Sequence, residues 1–207
     1  MTRMLKRFLI LLAVGLSLTA SGQGTIVYNN PADIPVFGSD FYNYNFDVNG
    51  DGTTDFVLRA INAEFMVIPT AQNAVLGTPS TPPDLGGAVG ALATGYSIGP
   101  NLISPRQWIQ SGVSPIGTYG PVFNYEWRGA NTISYMGVQF SIGSEIHYGW
   151  VQIWAYPNGG WIREWAYDTV PGQAILAGAV PEPSGWALGM VSLVTLLAWN
   201  GFRRQCR

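Results

Sequence analysis

The chain is short of the residues that usually carry reaction chemistry. It has one cysteine, Cys206, and one histidine, His147, in 207 residues. Cys206 lies in the last few positions, so the body of the protein has no disulfide to staple it. A lone histidine leaves a transition-metal site or a serine-type triad without its remaining parts. Neither Gly-x-Ser-x-Gly nor a phosphate-binding loop is present. Charge is scarce too, at 11% of residues, and it is unevenly placed. Residues 23–179 hold no lysine and four arginines, Arg59, Arg106, Arg128 and Arg163, against eleven carboxylates, a net charge of −7. The whole-chain value of −2 hides this, because the other cations sit at the two ends. Phosphate binding needs clustered cations, so a nucleic-acid partner is excluded, and an anionic membrane surface is disfavoured for the same reason.

A long apolar pattern of helical period is also missing from the body. Short alternating runs separated by Gly, Pro and Asn take its place, and these predict an all-β fold. Strands are expected over Phe41–Phe46, Asp55–Ala63, Leu92–Ile98, Ile133–Ile142, Ile146–Tyr156 and Trp161–Thr169, with a weaker one from Thr25. Seven or so short strands suggest a β-sandwich or jelly-roll-like domain. Pro69 to Gly90, rich in Pro, Gly and Thr, reads as a long surface loop or a partly disordered excursion. Ser104-Pro105 before Arg106–Gln110 has the look of a helix start, and one short helix is expected there.

The clearest chemical motif is Asp47-Val48-Asn49-Gly50-Asp51-Gly52-Thr53-Thr54-Asp55. Oxygen-bearing side chains stand at alternate positions, and a glycine at the sixth allows a sharp left-handed turn. A hard cation such as Ca²⁺ takes several oxygens at short range. The expected ligands are the side chains of Asp47, Asn49, Asp51 and Asp55 with the carbonyl of Thr53. Leu58 stands where an EF-hand has glutamate, so the loop looks instead like the nine-residue calcium loops of integrin-type β-blades. A plain Asp/Asn/Gly turn without metal is the competing interpretation.

The last two expected strands flank Pro157-Asn158-Gly159-Gly160. Taking Asn158-Gly159 as a type I′ turn pairs Trp154 with Arg163, Gln152 with Trp165, and Trp150 with Tyr167. That register gathers Tyr148, Trp150, Trp154, Tyr156, Trp161, Trp165 and Tyr167 on one face. Trp150, Trp154, Trp161 and Trp165 then form a candidate platform for stacking on sugar rings, or else core packing. Glu126, Glu145, Glu164 and Asp168 are the acids available for a glycosidase pair, and nothing in their spacing singles out an acid and a nucleophile. His147 reads as structural.

The two ends set a topology. Arg3, Lys6 and Arg7, an apolar core from Phe8 to Leu18, and Ala20-Ser21-Gly22 make a secretory signal peptide over residues 1–22. At the other end Val180-Pro181-Glu182-Pro183-Ser184 precedes an apolar run over 185–202 and a basic tail over 203–207. That run is close to membrane-spanning length, with Trp186 and Trp199 suited to the two interfaces. The arginines after it place the tail in the cytoplasm and the body outside. The three-part order resembles the PEP-CTERM sorting signal of Gram-negative bacteria that make extracellular polysaccharide. The resemblance implies recognition of Pro181, Glu182 and Pro183 by an exosortase, a membrane cysteine peptidase that cuts nearby. Two prolines keep such a motif extended and out of helices and sheets. The run from His147 to Gly172 resembles the end of many PEP-CTERM proteins, which also carry an early Asp-x-Asn-x-Asp-Gly loop, and this implies no particular activity.

Together these features predict a protein exported by the Sec route with a calcium-stabilised β-sandwich over 23–179 and a sorting signal over 180–207. It would be held in the inner membrane until processed, then placed at the cell surface, in a biofilm matrix or in the medium. A structural or adhesive role is expected, with binding of extracellular polysaccharide. The alternative is a glycan-active enzyme, a hydrolase or lyase, on the same fold.

Overall fold

A computed structural model describes residues 25–38, 41–61, 64–79, 87–110, 114–118, 125–127, 132–156 and 159–181. The expected signal peptide, the membrane segment 185–202, the basic tail, Glu182 and Pro183 lie outside the described residues.

The described chain is all-β and its sheets are antiparallel. The strands are β1 (Ile26–Asn29), β2 (Ile34–Phe37), β3 (Tyr42–Phe46), β4 (Phe56–Ile61), β5 (Glu64–Pro69), β6 (Ala74–Pro79), β7 (Gly87–Val89), β8 (Ser97–Ile98), β9 (Gln107–Ile109), β10 (Ser114–Thr118), β11 (Thr132–Ile142), β12 (Glu145–Tyr156), β13 (Gly159–Asp168) and β14 (Ile175–Leu176). A large sheet runs β1-β13-β12-β11-β6-β7, with β2 also on β13 and β9 also on β6. A second sheet runs β10-β5-β4-β3, and β14 pairs with β8.

The second sheet shows the alternation expected of a half-buried surface. Phe56, Leu58 and Ala60 of β4 and Phe65 and Val67 of β5 point inward and are fully buried. They share one core with Met136, Val138, Phe140, Val151, Ile153 and Ile162 of the large sheet. A second cluster lies on the outer face of the large sheet, where Leu76, Tyr148, Trp150 and Ala166 pack under Leu92, Ile98, Ile175 and Ala177. The β8/β14 pair and the chain around Leu92 therefore cover part of that outer face.

The extent of the cover is written in β12. Residues 147–151 are buried without interruption, because both faces of the strand are covered there. From Gln152 to Tyr156 alternation returns, with Ile153 and Ala155 buried and Gln152, Trp154 and Tyr156 half-buried. Among the described residues, the cover from β8, β14 and the chain around Leu92 thus lies over 147–151 rather than over the hairpin end.

Three expectations need correction. Residues 104–110 form no helix: Gln107–Ile109 is a strand on β6, and Trp108 stacks on Tyr148 at 5.5 Å. The Ser-Pro pattern is only a local preference, and pairing with a buried strand overrides it. The segment from Pro69 to Gly90 is no continuous loop either. Ala74, Val75 and Leu76 are fully buried in β6 and β7 follows at Gly87, while residues 80–86 lie outside the described residues. Last, Leu92–Ile98 is not one strand, since Leu92 makes a single bridge to Tyr135 and a turn at Thr94-Gly95 separates it from β8.

Candidate functional site

The aspartate loop joins β3 to β4 and folds on its own polar groups. Gly50 and Gly52 both take positive φ, 77° and 88°, as a tight left-handed path requires. Asp47 accepts from the backbone N–H of Gly50 and of Gly52, both at 2.7 Å. Asn49 Oδ1 accepts from Asp51 N–H at 3.0 Å, and Asp51 Oδ1 from Thr53 N–H at 2.7 Å. The Asn49 amide also donates to Asp51 Oδ2 at 3.0 Å. Thr53 N–H and the Asn49 amide together hold the Asp51 carboxyl below the usual carboxylate range.

Asp55 is different, being buried at the root of the loop. Its carboxylate accepts from Val48 N–H at 2.9 Å and from the Asn73 side-chain amide at 3.0 Å. Burial nonetheless pushes its pKa up to about 6, against these two hydrogen bonds and with help from the charges of Asp47 and Asp51. Asn73 accepts from Ser141 N–H at 3.1 Å, so it ties Asp55 to β11. Trp165 Nε1 donates to the Val48 carbonyl at 3.0 Å and its ring meets Phe46 edge-on. The loop is anchored from both sheets.

The structure therefore brings Asp47, Asn49, Asp51 and Thr53 together and turns Asp55 inward beside Asn73. The donor set is all oxygen, which fits a hard cation in kind. Each of these carboxylate and amide oxygens keeps a lone pair beyond the hydrogen bond it accepts. Among the described residues no group of three or more His, Cys, Asp or Glu side chains is gathered closely enough to hold a metal unaided. Asn49 and the Thr53 carbonyl would have to contribute.

The expected tryptophan platform does not survive as drawn. Pairing near the hairpin tip is Trp154 with Trp161, then Ile153 with Ile162, then Gln152 with Glu164, so Arg163 is an extra residue in a β-bulge. The bulge and the pairing of Tyr156 with Gly159 shift the register. Trp165 consequently lies on the inner face, packed against the core with Tyr167. Trp150 stays on the outer face but is fully buried, edge-on to Tyr135 and with Nε1 on the Ala179 carbonyl at 3.1 Å. It offers no surface for stacking.

Trp154 and Trp161 remain, half-buried and side by side at the hairpin end of the outer face. Ile133 pairs with Trp154, and Pro35 pairs with Trp161, so a row Ile133–Trp154–Trp161–Pro35 crosses four strands. Phe37 and Tyr156 extend it, their rings 5.8 Å apart, with Phe37 5.4 Å from Trp161 and Tyr156 5.3 Å from Trp154. The neighbouring row is polar: Tyr135, Gln152 and Glu164. Gln152 Nε2 donates to Tyr135 Oη at 3.0 Å, and Tyr28 Oη donates to Glu164 Oε2 at 2.5 Å. That bond to a carboxylate is the leading cause of a raised Tyr28 pKa. Phe37, Tyr28 and Ile133 escaped the sequence reading because their place beside the tryptophans depends on strand order, and only Pro35 hinted at an edge strand.

The other acids are scattered. Glu126 is paired with Arg106 and also accepts from Ala91 N–H at 3.1 Å. Glu145 starts β12 at the exposed β11–β12 turn. Asp168 is buried and accepts from Val170 N–H at 2.8 Å. His147 is buried with Nδ1 2.9 Å from the Asp168 carbonyl, a structural position as expected.

The chain is matched by no protein-family model, no curated protein and no solved structure. No helix among the described residues is long and apolar enough to cross a membrane, and the expected span is not among them.

Proposed function

We propose that this is an exported surface or extracellular-matrix protein whose body is a calcium-stabilised β-sandwich of jelly-roll type, structural or adhesive in role and binding extracellular polysaccharide. The signal peptide over 1–22 delivers it by the Sec route. The segment 185–202 holds it in the inner membrane until an exosortase-like enzyme acts at Pro181-Glu182-Pro183. Supporting this, the chain leaves the folded body at Ala179, and Val180 and Pro181 are exposed, as a motif read by a peptidase must be. Calcium is supported by the oxygen donors of Asp47, Asn49, Asp51 and Thr53 on one glycine-containing turn, with Asp55 directed inward to Asn73 at its root.

The observation that carries the adhesive reading is the row around Trp154 and Trp161. Large aromatic side chains lie together, half-buried, at the hairpin end of the outer face with the exposed Ile133 beside them, and an apolar patch that reaches solvent supports a binding surface. Glu164 beside the row keeps the enzyme alternative in view, but hydrolysis needs a second carboxyl group at a fixed separation. Adsorption tests the reading. The full chain in mild detergent should bind crude extracellular polysaccharide from the cells that make it, and Trp154→Ala should bind less. No adsorption above a bovine albumin control sinks it. Release of reducing ends, lost in Glu164→Gln with adsorption retained, would favour the enzyme.

A further inference from the structure

We propose that the layer covering the outer face of the large sheet is a lipid-contacting surface, on which the tethered body lies against the membrane. This rests on the reading above that segment 185–202 spans the membrane, and it adds the orientation of the body.

The tether is short. Ile175 and Ala177 are buried, Ala177 N–H donates to the Tyr96 carbonyl at 2.9 Å, and the Ala179 carbonyl accepts from Trp150 Nε1 at 3.1 Å. The body therefore holds the chain up to Ala179, and the apolar run begins at Gly185. Residues 180–184, fully extended, reach about 17 Å. A folded body on such a link keeps its cover close to the bilayer, at a high effective concentration.

The cover also presents apolar side chains outward. Ile175 and Ala177 face the sheet, so Leu176 between them points away, and it is exposed. Val180 is exposed just beyond. Val170 is exposed on the turn after β13, and Ile103 on the loop between β8 and β9. These segments form one layer: β14 pairs with β8, and a Cβ on Gly99 would lie 2.5 Å from that of Ala174. The other large apolar side chains exposed among the described residues, Phe41, Tyr42 and Ile133, lie on β3 or just before it and on β11.

Charge favours the same face. Residues 91–106 and 169–181 contain one charged side chain, Arg106, which is paired with Glu126. Asp168 is buried on the Val170 N–H, and Glu145 stands at the rim, beside the Ile146 carbonyl that accepts from Gly172 N–H. The body elsewhere carries the carboxylates that make residues 23–179 −7. An uncharged apolar face enters the headgroup region at little desolvation cost, whereas a carboxylate-bearing face does not. With no unpaired cation on the cover, zwitterionic lipid suits it and anionic lipid does not.

Site-directed fluorescence on the unprocessed protein in lipid nanodiscs tests this. In a Cys206→Ser background, bimane is attached at Ile103→Cys or, on the opposite sheet, at Phe41→Cys. In phosphatidylcholine discs carrying a nitroxide-headgroup lipid, the label at 103 should be quenched by the nitroxide and shielded from aqueous acrylamide, and the label at 41 should show the reverse. Val170→Glu with Leu176→Glu should lose most of the nitroxide quenching at 103. Val180→Glu lies beyond the last contact the body makes and should also lose quenching, so the test stands if the double variant folds poorly. Replacing part of the lipid by phosphatidylglycerol should lower quenching. The proposal is overturned by equal quenching at 103 and 41, by quenching that ignores the acidic substitutions, or by a rise with phosphatidylglycerol. A label at 103 shielded from both quenchers also overturns it, since a second copy or the chain's own ends would then cover the face. A protein that does not enter the discs sinks the membrane-segment reading as well; one that enters and shows no difference between 103 and 41 sinks the orientation alone.

Discussion

Asp55 is the residue on which the loop's chemistry turns. Its carboxyl is buried, and its pKa rises from 3.8 to about 6 on folding, chiefly by loss of solvation. A raised carboxyl pKa means that the native state binds the proton more tightly than the unfolded chain does. In chelator, its contribution to stability is therefore largest below the unfolded value of 3.8 and is lost as pH rises through about 6. Other acids titrate in this window, so the measurement is a difference. Melting in chelator at several pH values between 4 and 7 should show this slope in the wild type and lack it in Asp55→Asn; identical slopes would refute it. Calcium needs the ionised carboxylate, so its stabilisation should grow over the same rise in pH. At pH 7, millimolar calcium should raise the melting temperature by mass action on the native state. Asp51→Ala should remove most of that rise, because Asp51 is wholly in the loop and supports no core contact. Coincident melting with chelator and with calcium would dispose of the metal.

At the scale of the strand, the bulge at Arg163 decides which tryptophans are core. Trp150 lies before it on a doubly covered stretch of β12, and Trp150→Ala should cost about 3–5 kcal/mol in urea unfolding. Trp161→Ala, past the bulge and half-buried, should cost clearly less, and equal costs would mean that the hairpin end is as closed as the centre. The long strands β11, β12 and β13 were legible in the sequence as β-branched and aromatic runs between turn residues, and β4 and the hairpin end of β12 also by a period of two. The register of β12 on β13 was not, since a one-residue bulge leaves no mark in composition and yet moves Trp165 and Tyr167 to the other face. β6 was missed for a related reason: Ala74-Val75-Leu76 is buried on both faces, so it never alternates. The aspartate loop was legible as a loop with glycines in the right places, but the inward turn of Asp55 was not. That turn depends on Asn73, a distant partner that no local spacing reveals.

For the whole molecule, the described body and the ends do separate work, and the join between them is the sharpest place to test the sorting proposal. Ile175 and Ala177 are buried under the outer face, and the Ala179 carbonyl accepts from Trp150, so the body grips the chain up to that point. Val180 and Pro181 are exposed immediately afterwards. Replacing Pro181, Glu182 and Pro183 with alanines touches no core contact among the described residues and should leave both melting and export unchanged. It should block processing, because the chain can then leave the extended form that two prolines enforce. The uncut protein should accumulate in the inner-membrane fraction at its full precursor length less the signal peptide, while the wild type appears shortened at the surface or in the medium. If the triple-alanine protein is shortened and released like the wild type, the motif is not what the processing enzyme reads, and the resemblance to a sorting signal has no functional content.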